Sequence, residues 1–226
     1  MKEIEVPLQE GKFYHVYNRG NNRENLFHTP ENYRYFLRKY DEYLSKYVDT
    51  YSYCLLPNHF HLLIAVKEED DIRKVHPLTT RKVLPLSTGK VLPFQKVVPL
   101  EPKVEPLEKI ISFQFRKFFT SYAMSINKQE GRTGSLLQKN FKRKEVDSTT
   151  YLSNLVFYIH ANPQQHGIID DFRMYPWSSY NGILANSPTK LKRDNVLSWF
   201  NDKENYLAYH SQKMDISNIK NLIIED

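Results

Sequence analysis

The 226-residue sequence contains a single cysteine, Cys54, so it can form no internal disulfide bond. The same scarcity excludes a zinc site made of several cysteines and is typical of proteins from a reducing compartment. No run of about 18 apolar residues occurs, and the N-terminal segment lacks the apolar stretch of a secretion signal. We therefore expect a cytoplasmic protein that neither spans nor binds a membrane.

Two motifs of phosphate chemistry are also missing. The sequence has no G-x-x-x-x-G-K-[ST] loop, and it lacks the acidic cluster that a two-metal nuclease needs. Aromatic and basic residues are abundant instead, with 16 Tyr and 13 Phe interleaved among 32 Lys and Arg, and the net charge is +6. Basic side chains bind phosphates and aromatic rings stack on bases, so this composition favours a nucleic-acid partner, although many ordinary proteins are as basic.

The hydrophobic periodicity predicts an α+β fold. Alternating patterns predict strands at residues 12–18, 50–56, 59–66 and 136–146. Helical patterns are found at residues 31–47, 110–130 and 148–162, where Pro163 is expected to end the last helix. This order of elements is typical of a ferredoxin-like or RRM-like antiparallel sheet with helices on one face.

The chain divides into three regions by composition. Residues 1–69 and 110–184 form the main domain, and residues 185–226 form a C-terminal extension with two modest helices. Residues 70–109 hold six of the 12 prolines in a loose Lys-Val-x-Pro-Leu repeat. Because dense proline forbids a helix, we expect this basic insertion to be extended or flexible. It is either a linker or an arm that embraces nucleic acid.

The strand 59–66 carries two histidines in an otherwise apolar run. Side chains alternate along a strand, so His59 and His61 project to one face while Phe60, Leu62 and Ile64 project to the other. Two imidazoles at this spacing can hold one metal ion, with Zn, Mn, Fe or Ni preferred unless oxygen ligands stand beside them. The alternative is a chance pair that hydrogen-bonds to neighbouring groups, because so short a motif recurs by chance.

The helix at 148–162 offers an oxygen ligand and a nucleophile. Tyr158 and Asn162 are four residues apart, so they stand on the same side of the helix one turn apart. If that side packs over His59 and His61, Asn162 can supply a third ligand and the Tyr158 hydroxyl lies beside the ion. The alternative is that Tyr158 only packs at the edge of the core. Tyr151 shares the same helix edge and is the second candidate nucleophile.

Three segments appear in an order that resembles a known family. They are "FYHVYNRGNNRENLF", "LLPNHFHLLI" and "GRTGSLLQKNFKRKEVDSTTYLSNLVFYIHANPQQHGIIDDFRMYPWSSY". Together they are similar to the REP-associated tyrosine transposases, a branch of the HUH-type single-tyrosine transposases. The resemblance runs from about residue 12 to 184 and is interrupted by the proline-rich insertion. It implies that residues 1–69 and 110–184 form the HUH transposase domain.

Matched motif by motif, the resemblance implies an active site. "HFH" makes His59 and His61 metal ligands, and "YIHANP" makes Tyr158 the catalytic tyrosine and Asn162 the third ligand. Many relatives outside this branch have Gln in place of this Asn. The segment "NPQQHG" stands where the family has a sequence like "NPVRAG", so an Arg is lost. The implied cofactor is a divalent ion, Mg²⁺ or Mn²⁺.

The resemblance also implies a reaction and a partner. Family members cleave single-stranded DNA that carries hairpins, the palindromes of the repetitive extragenic type, through a 5′-phosphotyrosine, and they rejoin it. A nucleoid-associated protein of the cytoplasm is therefore expected. Whether it acts as a monomer or a homodimer stays open. Two rival functions also stay open: a domesticated protein that binds hairpins without cutting, and a zinc hydrolase that uses water as its nucleophile.

Basic residues near these motifs are candidates for DNA binding. They are Arg19, Arg132, Lys139, Lys142, Arg143 and Lys144. Four of them lie on or just before the strand that precedes the catalytic helix, where they could follow a DNA backbone into the site. The alternative is a solvated edge strand, since lysines commonly protect edges from pairing. The remaining histidines show no partner spacing, and no catalytic role is assigned to His15, His28, His76, His160, His166 or His210.

Overall fold

The computed structural model of the protein describes residues 6–76, 105–146 and 148–212. At its centre is a four-stranded antiparallel sheet. The strands are β1 (Phe13–Arg19), β2 (Val48–Leu56), β3 (His59–Val66) and β4 (Lys142–Val146), and their order across the sheet is β2-β3-β1-β4. The predicted α+β class with an antiparallel sheet is therefore confirmed.

Seven α-helices surround this sheet within the described ranges. They are α1 (Pro30–Leu44), α2 (Glu69–Val75), α3 (Leu107–Gln129), α4 (Thr149–Gln165), α5 (Tyr180–Leu184), α6 (Arg193–Trp199) and α7 (Lys203–Tyr209). The two C-terminal helices agree with the expectation for this region, and residues 213–226 lie outside the described part of the chain.

The helices cover both faces of the sheet, which corrects the prediction that they lie on one face. On one side Phe60 of β3 packs with Phe36 of α1 and Phe118 of α3 in an aromatic core. On the other side Leu63 of β3 is buried with Leu155 of α4. All eight residues of β3 are buried, so this strand exposes apolar surface to both sides and each side needs a helix to exclude water.

The predicted extended insertion at 70–109 is helical at both of its ends. Helix α2 continues to Val75 because the prolines begin only at Pro77, and α3 begins at Leu107, directly after Pro106. Proline is tolerated there because the first turn of a helix needs no bond from its backbone N–H. The Lys-Val-x-Pro-Leu repeats at 77–104 lie outside the described residues.

Helix α4 also runs past its expected end at Pro163. Its last residue is Gln165, and the backbone N–H of His166 still donates to the carbonyl of Asn162 at 3.0 Å. A proline removes only its own N–H bond, so the final turn survives it. The helix stops instead before Gly167, whose φ of +64° lies in the left-handed region that favours glycine.

A buried polar network fastens α4 to β2 and α7. The His160 Nε2 lies 3.1 Å from Ser52 Oγ and 2.8 Å from Ser179 Oγ, and its Nδ1 lies 3.0 Å from His210 Nε2. The Tyr206 hydroxyl lies 3.3 Å from the same Nδ1. His160 is fully buried, and the network joins the helix that carries Tyr158 to the C-terminal helices.

Candidate active site

Strand register places the candidate site on the face of the sheet that α4 covers. His61 lies opposite Tyr17 of β1, which in turn lies opposite Lys142 of β4. Two residues before His61 on the same strand, His59 lies opposite Arg19. Residues paired across antiparallel strands share a face, so the two histidines, Tyr17, Arg19 and Lys142 point to the same side.

Helix α4 presents its tyrosine to this face. The Tyr158 ring centroid is 5.7 Å from that of His61 and meets it edge to face. Asn162, one turn further on, donates from Nδ2 to the Tyr158 carbonyl at 2.8 Å. Tyr158 and Asn162 are both fully buried, and His61 is nearly so. The structure thus brings together the tyrosine and the H-x-H motif, which are about a hundred residues apart in the sequence.

Each histidine of the motif is hydrogen-bonded through its Nδ1 atom. For His59 the partner is Asn58 Oδ1 at 2.6 Å, and for His61 the partner is His15 Nε2 at 2.9 Å. His166, the residue that follows α4, approaches His59 from the other side, with 4.9 Å between the ring centroids. The two rings are therefore held by neighbours whose contribution was not predicted from the sequence.

The electrostatics of the site keep both imidazoles neutral. Burial, supported by the nearby His166 and Arg19, lowers the pKa of His59 to about 3. Burial also lowers the pKa of His61 well below its ordinary value, and the neighbouring His15 acts in the same direction. A neutral imidazole keeps a lone pair on one ring nitrogen, and this is the form that coordinates a metal ion.

Unsatisfied polar atoms test whether these residues suit a divalent ion. In the described part of the chain, His61 Nε2 and Asn162 Oδ1 are buried without a hydrogen-bond partner. A buried polar atom without a hydrogen bond destabilises the fold unless another group binds it. Imidazole nitrogen and amide oxygen are both ligand atoms that Mn²⁺ accepts. Residues 6–76, 105–146 and 148–212 contain no group of three or more His, Cys, Asp or Glu arranged for a metal, so a metal held by His59 and His61 would need a ligand of another type, such as the Asn162 amide oxygen.

The six basic candidates fall into different places. Arg19 and Lys142 lie on the histidine face, and Lys144 lies on it too, opposite His15. Arg132 forms an ion pair with Glu24. Arg19, Lys142 and Lys144 therefore lie beside the site, whereas Arg132 lies in a loop and pairs with Glu24.

Arg143 and Lys139 lie elsewhere. Arg143 stands between Lys142 and Lys144 on β4, so its side chain points to the opposite face of the sheet. There the side chain is 3% exposed and lies 3.5 Å from Glu108. Lys139 is exposed and lines a cavity with Arg143 between α3 and residues 134–141. The structure therefore does not support grouping Arg143 with the lysines beside the site, because neighbouring strand residues alternate faces.

Sequence reasoning missed His15 and His166 as neighbours of the H-x-H motif. Both had been set aside because no spacing within the chain linked them to a partner. His15 belongs to β1, and its approach to His61 depends on the register between β1 and β3. His166 is placed by the three residues that α4 gains beyond its predicted end at residue 162. His160 and His210 also have partners, but in the network away from this face.

Comparison with known proteins indicates which family this chain resembles. No model of a known protein family matches the chain. A curated Haemophilus influenzae protein, provisionally named a REP-associated tyrosine transposase, is 26% identical over 133 residues, which are 59% of each chain. The predicted resemblance to the REP-associated tyrosine transposases is confirmed. A solved structure of such a transposase bound to a REP hairpin matches with a TM-score of 0.55 at 16% identity, over 83% of this chain and 89% of the other.

The two comparisons support different statements. The chain matches 59% of the length of the H. influenzae relative, so the resemblance covers part of that protein. The hairpin-bound structure, at 16% identity, shows that this chain has the fold of a REP-associated tyrosine transposase. Within the described residues, no helix is both long and apolar enough to cross a membrane.

Proposed function

We propose that the protein is a metal-dependent transposase that cleaves and rejoins hairpin-bearing single-stranded DNA through a tyrosine. The observation that carries this proposal is the meeting of Tyr158 with the H-x-H motif. Its ring lies 5.7 Å from that of His61, whose buried Nε2 has no hydrogen-bond partner among the described residues. The hairpin substrate follows from the likeness to a REP-associated transposase whose solved structure holds a REP hairpin.

His59, His61 and the amide oxygen of Asn162 would hold Mg²⁺ or Mn²⁺. A bound ion of this kind supplies Lewis-acid polarisation of a phosphodiester oxygen. The two lowered pKa values support this role, since neither imidazole needs to lose a proton at neutral pH before it can act as a ligand. The unsatisfied oxygen of Asn162 suits Mg²⁺ better than a set made of imidazole alone.

The tyrosine then performs the transfer. The Tyr158 oxygen forms a bond to phosphorus as the bond from phosphorus to the 3′ oxygen breaks. The phenol loses its proton and the 3′ oxygen gains one, which leaves a 5′-phosphotyrosine and a free 3′-OH. Attack of another 3′-OH on this ester rejoins the strand and restores the phenol. The ester keeps the energy of the original bond, which agrees with the lack of an NTP-binding loop.

The basic residues on the same face would guide the strand. Arg19 lies opposite His59, and Lys142 and Lys144 extend the face onto the edge strand β4. Phosphate contacts of this kind fix the position of DNA without reading its sequence. The lysines flank the site on the side of β4, so a backbone that enters there runs toward the tyrosine.

The burial of Tyr158 favours a second candidate function. The residue has no exposed surface, so a phosphate reaches its hydroxyl only when α4 moves away from the sheet. A protein that binds hairpins but has lost cleavage would not need this movement. The second candidate is therefore a domesticated hairpin-binding protein with the same fold.

A covalent-trapping experiment separates the two. The protein is incubated with end-labelled single-stranded hairpin DNA from repetitive extragenic palindromes and Mn²⁺ or Mg²⁺, and adducts are resolved on a denaturing gel. We expect an adduct that Tyr158→Phe abolishes and chelator prevents. The matched control is Tyr151→Phe, which removes a phenol from the same helix and should leave the adduct intact.

Each other outcome has a defined meaning. Tight hairpin binding without any adduct would support the binding protein and refute the transposase. An adduct that survives in Tyr158→Phe but is lost in Tyr151→Phe would move the nucleophile to Tyr151. Mass-spectrometric mapping of the modified peptide assigns the tyrosine directly.

A further inference from the structure

We propose that His15 and Asn58 are positioning residues that set the tautomers of the two H-x-H imidazoles, so that both rings offer Nε2 to a metal ion. This inference rests on the proposed function, since it concerns the same site. Neither residue was predicted from the sequence to act there.

The orientation of the Asn58 amide can be deduced from its two contacts. Its Nδ2 lies 3.3 Å from the carbonyl oxygen of Arg23, which can only accept, so the NH₂ group must face that oxygen. The amide oxygen then faces His59 Nδ1 at 2.6 Å. An amide oxygen accepts, so Nδ1 of His59 carries the proton and its Nε2 carries the lone pair.

The backbone around Asn58 holds this amide in place. Its carbonyl accepts from the N–H of Gly20 at 2.8 Å, and the carbonyl of Pro57 accepts from Leu26 and Phe27. The turn between β2 and β3 is thereby tied to the loop that follows β1. The side chain of Asn58 thus projects from a segment fixed at several points, as an orienting group requires.

His15 orients the second ring. Its Nε2 lies 2.9 Å from His61 Nδ1, with 5.1 Å between the ring centroids and 23° between the ring planes. If His61 donated from Nε2, that proton would be buried without an acceptor, because Nε2 has no partner in the described residues. The favoured arrangement is therefore Nδ1–H of His61 donating to His15, which leaves a lone pair on the buried Nε2.

The two pairs repeat one arrangement. Histidines that bind metals usually donate their other N–H to a fixed acceptor, which sets the ring orientation and raises the basicity of the ligand. Here the acceptors are an amide oxygen and a neutral imidazole in place of carboxylates. His15 is 1% exposed and also contacts the Tyr158 ring, at 6.1 Å between centroids, so it spans both parts of the site.

Manganese affinity tests the inference without relying on cleavage. Calorimetric titration with Mn²⁺ is performed on the full chain and on His15→Phe, His15→Gln and Asn58→Ala. Loss of an orienting partner typically weakens metal binding about 10–100-fold, and we expect this for His15→Phe and Asn58→Ala. His15→Gln keeps an acceptor and should recover most of the affinity. His28→Phe removes an imidazole whose side chain lies beside Glu130, and it should bind Mn²⁺ as the wild type does.

Hairpin affinity in chelator serves as a check on folding and should stay within about twofold for all variants. Wild-type Mn²⁺ affinity in both His15→Phe and Asn58→Ala would overturn the inference and leave the proposed function standing. Equal losses in His15→Phe and His15→Gln would also overturn it, since a packing role would not distinguish an acceptor. Failure of the wild type to bind Mn²⁺ would overturn both the inference and the metal-dependent function.

Discussion

Acidification between pH 7 and 5 should destabilise the protein through the buried pair His160 and His210. Burial lowers the pKa of His210 to about 4, and it lowers the pKa of His160 well below its ordinary value. The polar groups that face the pair are the hydroxyls of Ser52, Ser179 and Tyr206, which carry no charge in this pH range, and the Tyr206 carbonyl, 2.8 Å from His210 Nδ1. The carbonyl raises the pKa of His210, but burial outweighs it.

The sign follows from proton uptake. In the unfolded chain a histidine binds a proton near pH 6.5, whereas folded His210 resists protonation down to about pH 4. Between these values the unfolded state holds more protons, so stability decreases as the pH falls. From pH 7 to pH 5 the shift of His210 corresponds to a loss of about 2 kcal/mol. His160 adds a loss of the same sign.

The assay is urea unfolding at pH 7 and pH 5 for the wild type and for His210→Gln, which cannot titrate. We expect the wild type to lose about 2 kcal/mol more than the variant over this interval. Removal of His210 also changes the surroundings of His160, whose Nδ1 lies 3.0 Å from His210 Nε2, so the difference reports on the buried pair as a whole. His28→Gln, which replaces an exposed imidazole outside this pair, is the control for the substitution itself. Identical pH dependence in the wild type and His210→Gln would refute the reasoning.

Three further predictions concern the loop after β1 and the edge strand. Gly20→Ala should lower the free energy of urea unfolding by about 1–3 kcal/mol. An added Cβ would stand 2.1 Å from the Glu24 carbonyl oxygen, so the loop must shift. An unchanged free energy of unfolding would contradict this close approach. Lys144→Ala should weaken hairpin binding and reduce the salt slope by about 1 without loss of stability. Arg143→Ala should instead cost about 1–3 kcal/mol of stability, since its buried guanidinium serves the opposite face. Salt-dependent anisotropy and urea unfolding of both variants distinguish the two roles, and a reversed pattern would contradict the assignment.

Parts of the site could be predicted because they depend on the periodicity of a single element. The alternation of a strand places His59 and His61 on one face, and the helical repeat places Tyr158 and Asn162 on one side. Alternation also separates Arg143 from Lys142 and Lys144, so the predicted grouping of the three by charge and proximity in the chain is wrong for Arg143.

Other features of the site could not be predicted from local sequence patterns. The contact between His15 and His61 depends on the register of β1 against β3, and strand pairing is a long-range choice that no local spacing encodes. The approach of His166 to His59 depends on α4 continuing past Pro163. Cover on both faces of the sheet follows from the apolar residues on the histidine side of β3, whose burial requires a second helical layer.

By itself the sequence determined the α+β class, the resemblance to the REP-associated tyrosine transposases and the candidates for ligand and nucleophile. Those features are carried by local periodicity and by short motifs whose order along the chain can be recognised. Only the tertiary structure decided that Tyr158 is closed against the sheet, that Nε2 of His61 and Oδ1 of Asn162 have no partner in the described part of the chain, and which neighbours are hydrogen-bonded to the rings. Burial and hydrogen bonding are properties of elements packed together, so they exist only once strands and helices from distant parts of the chain meet.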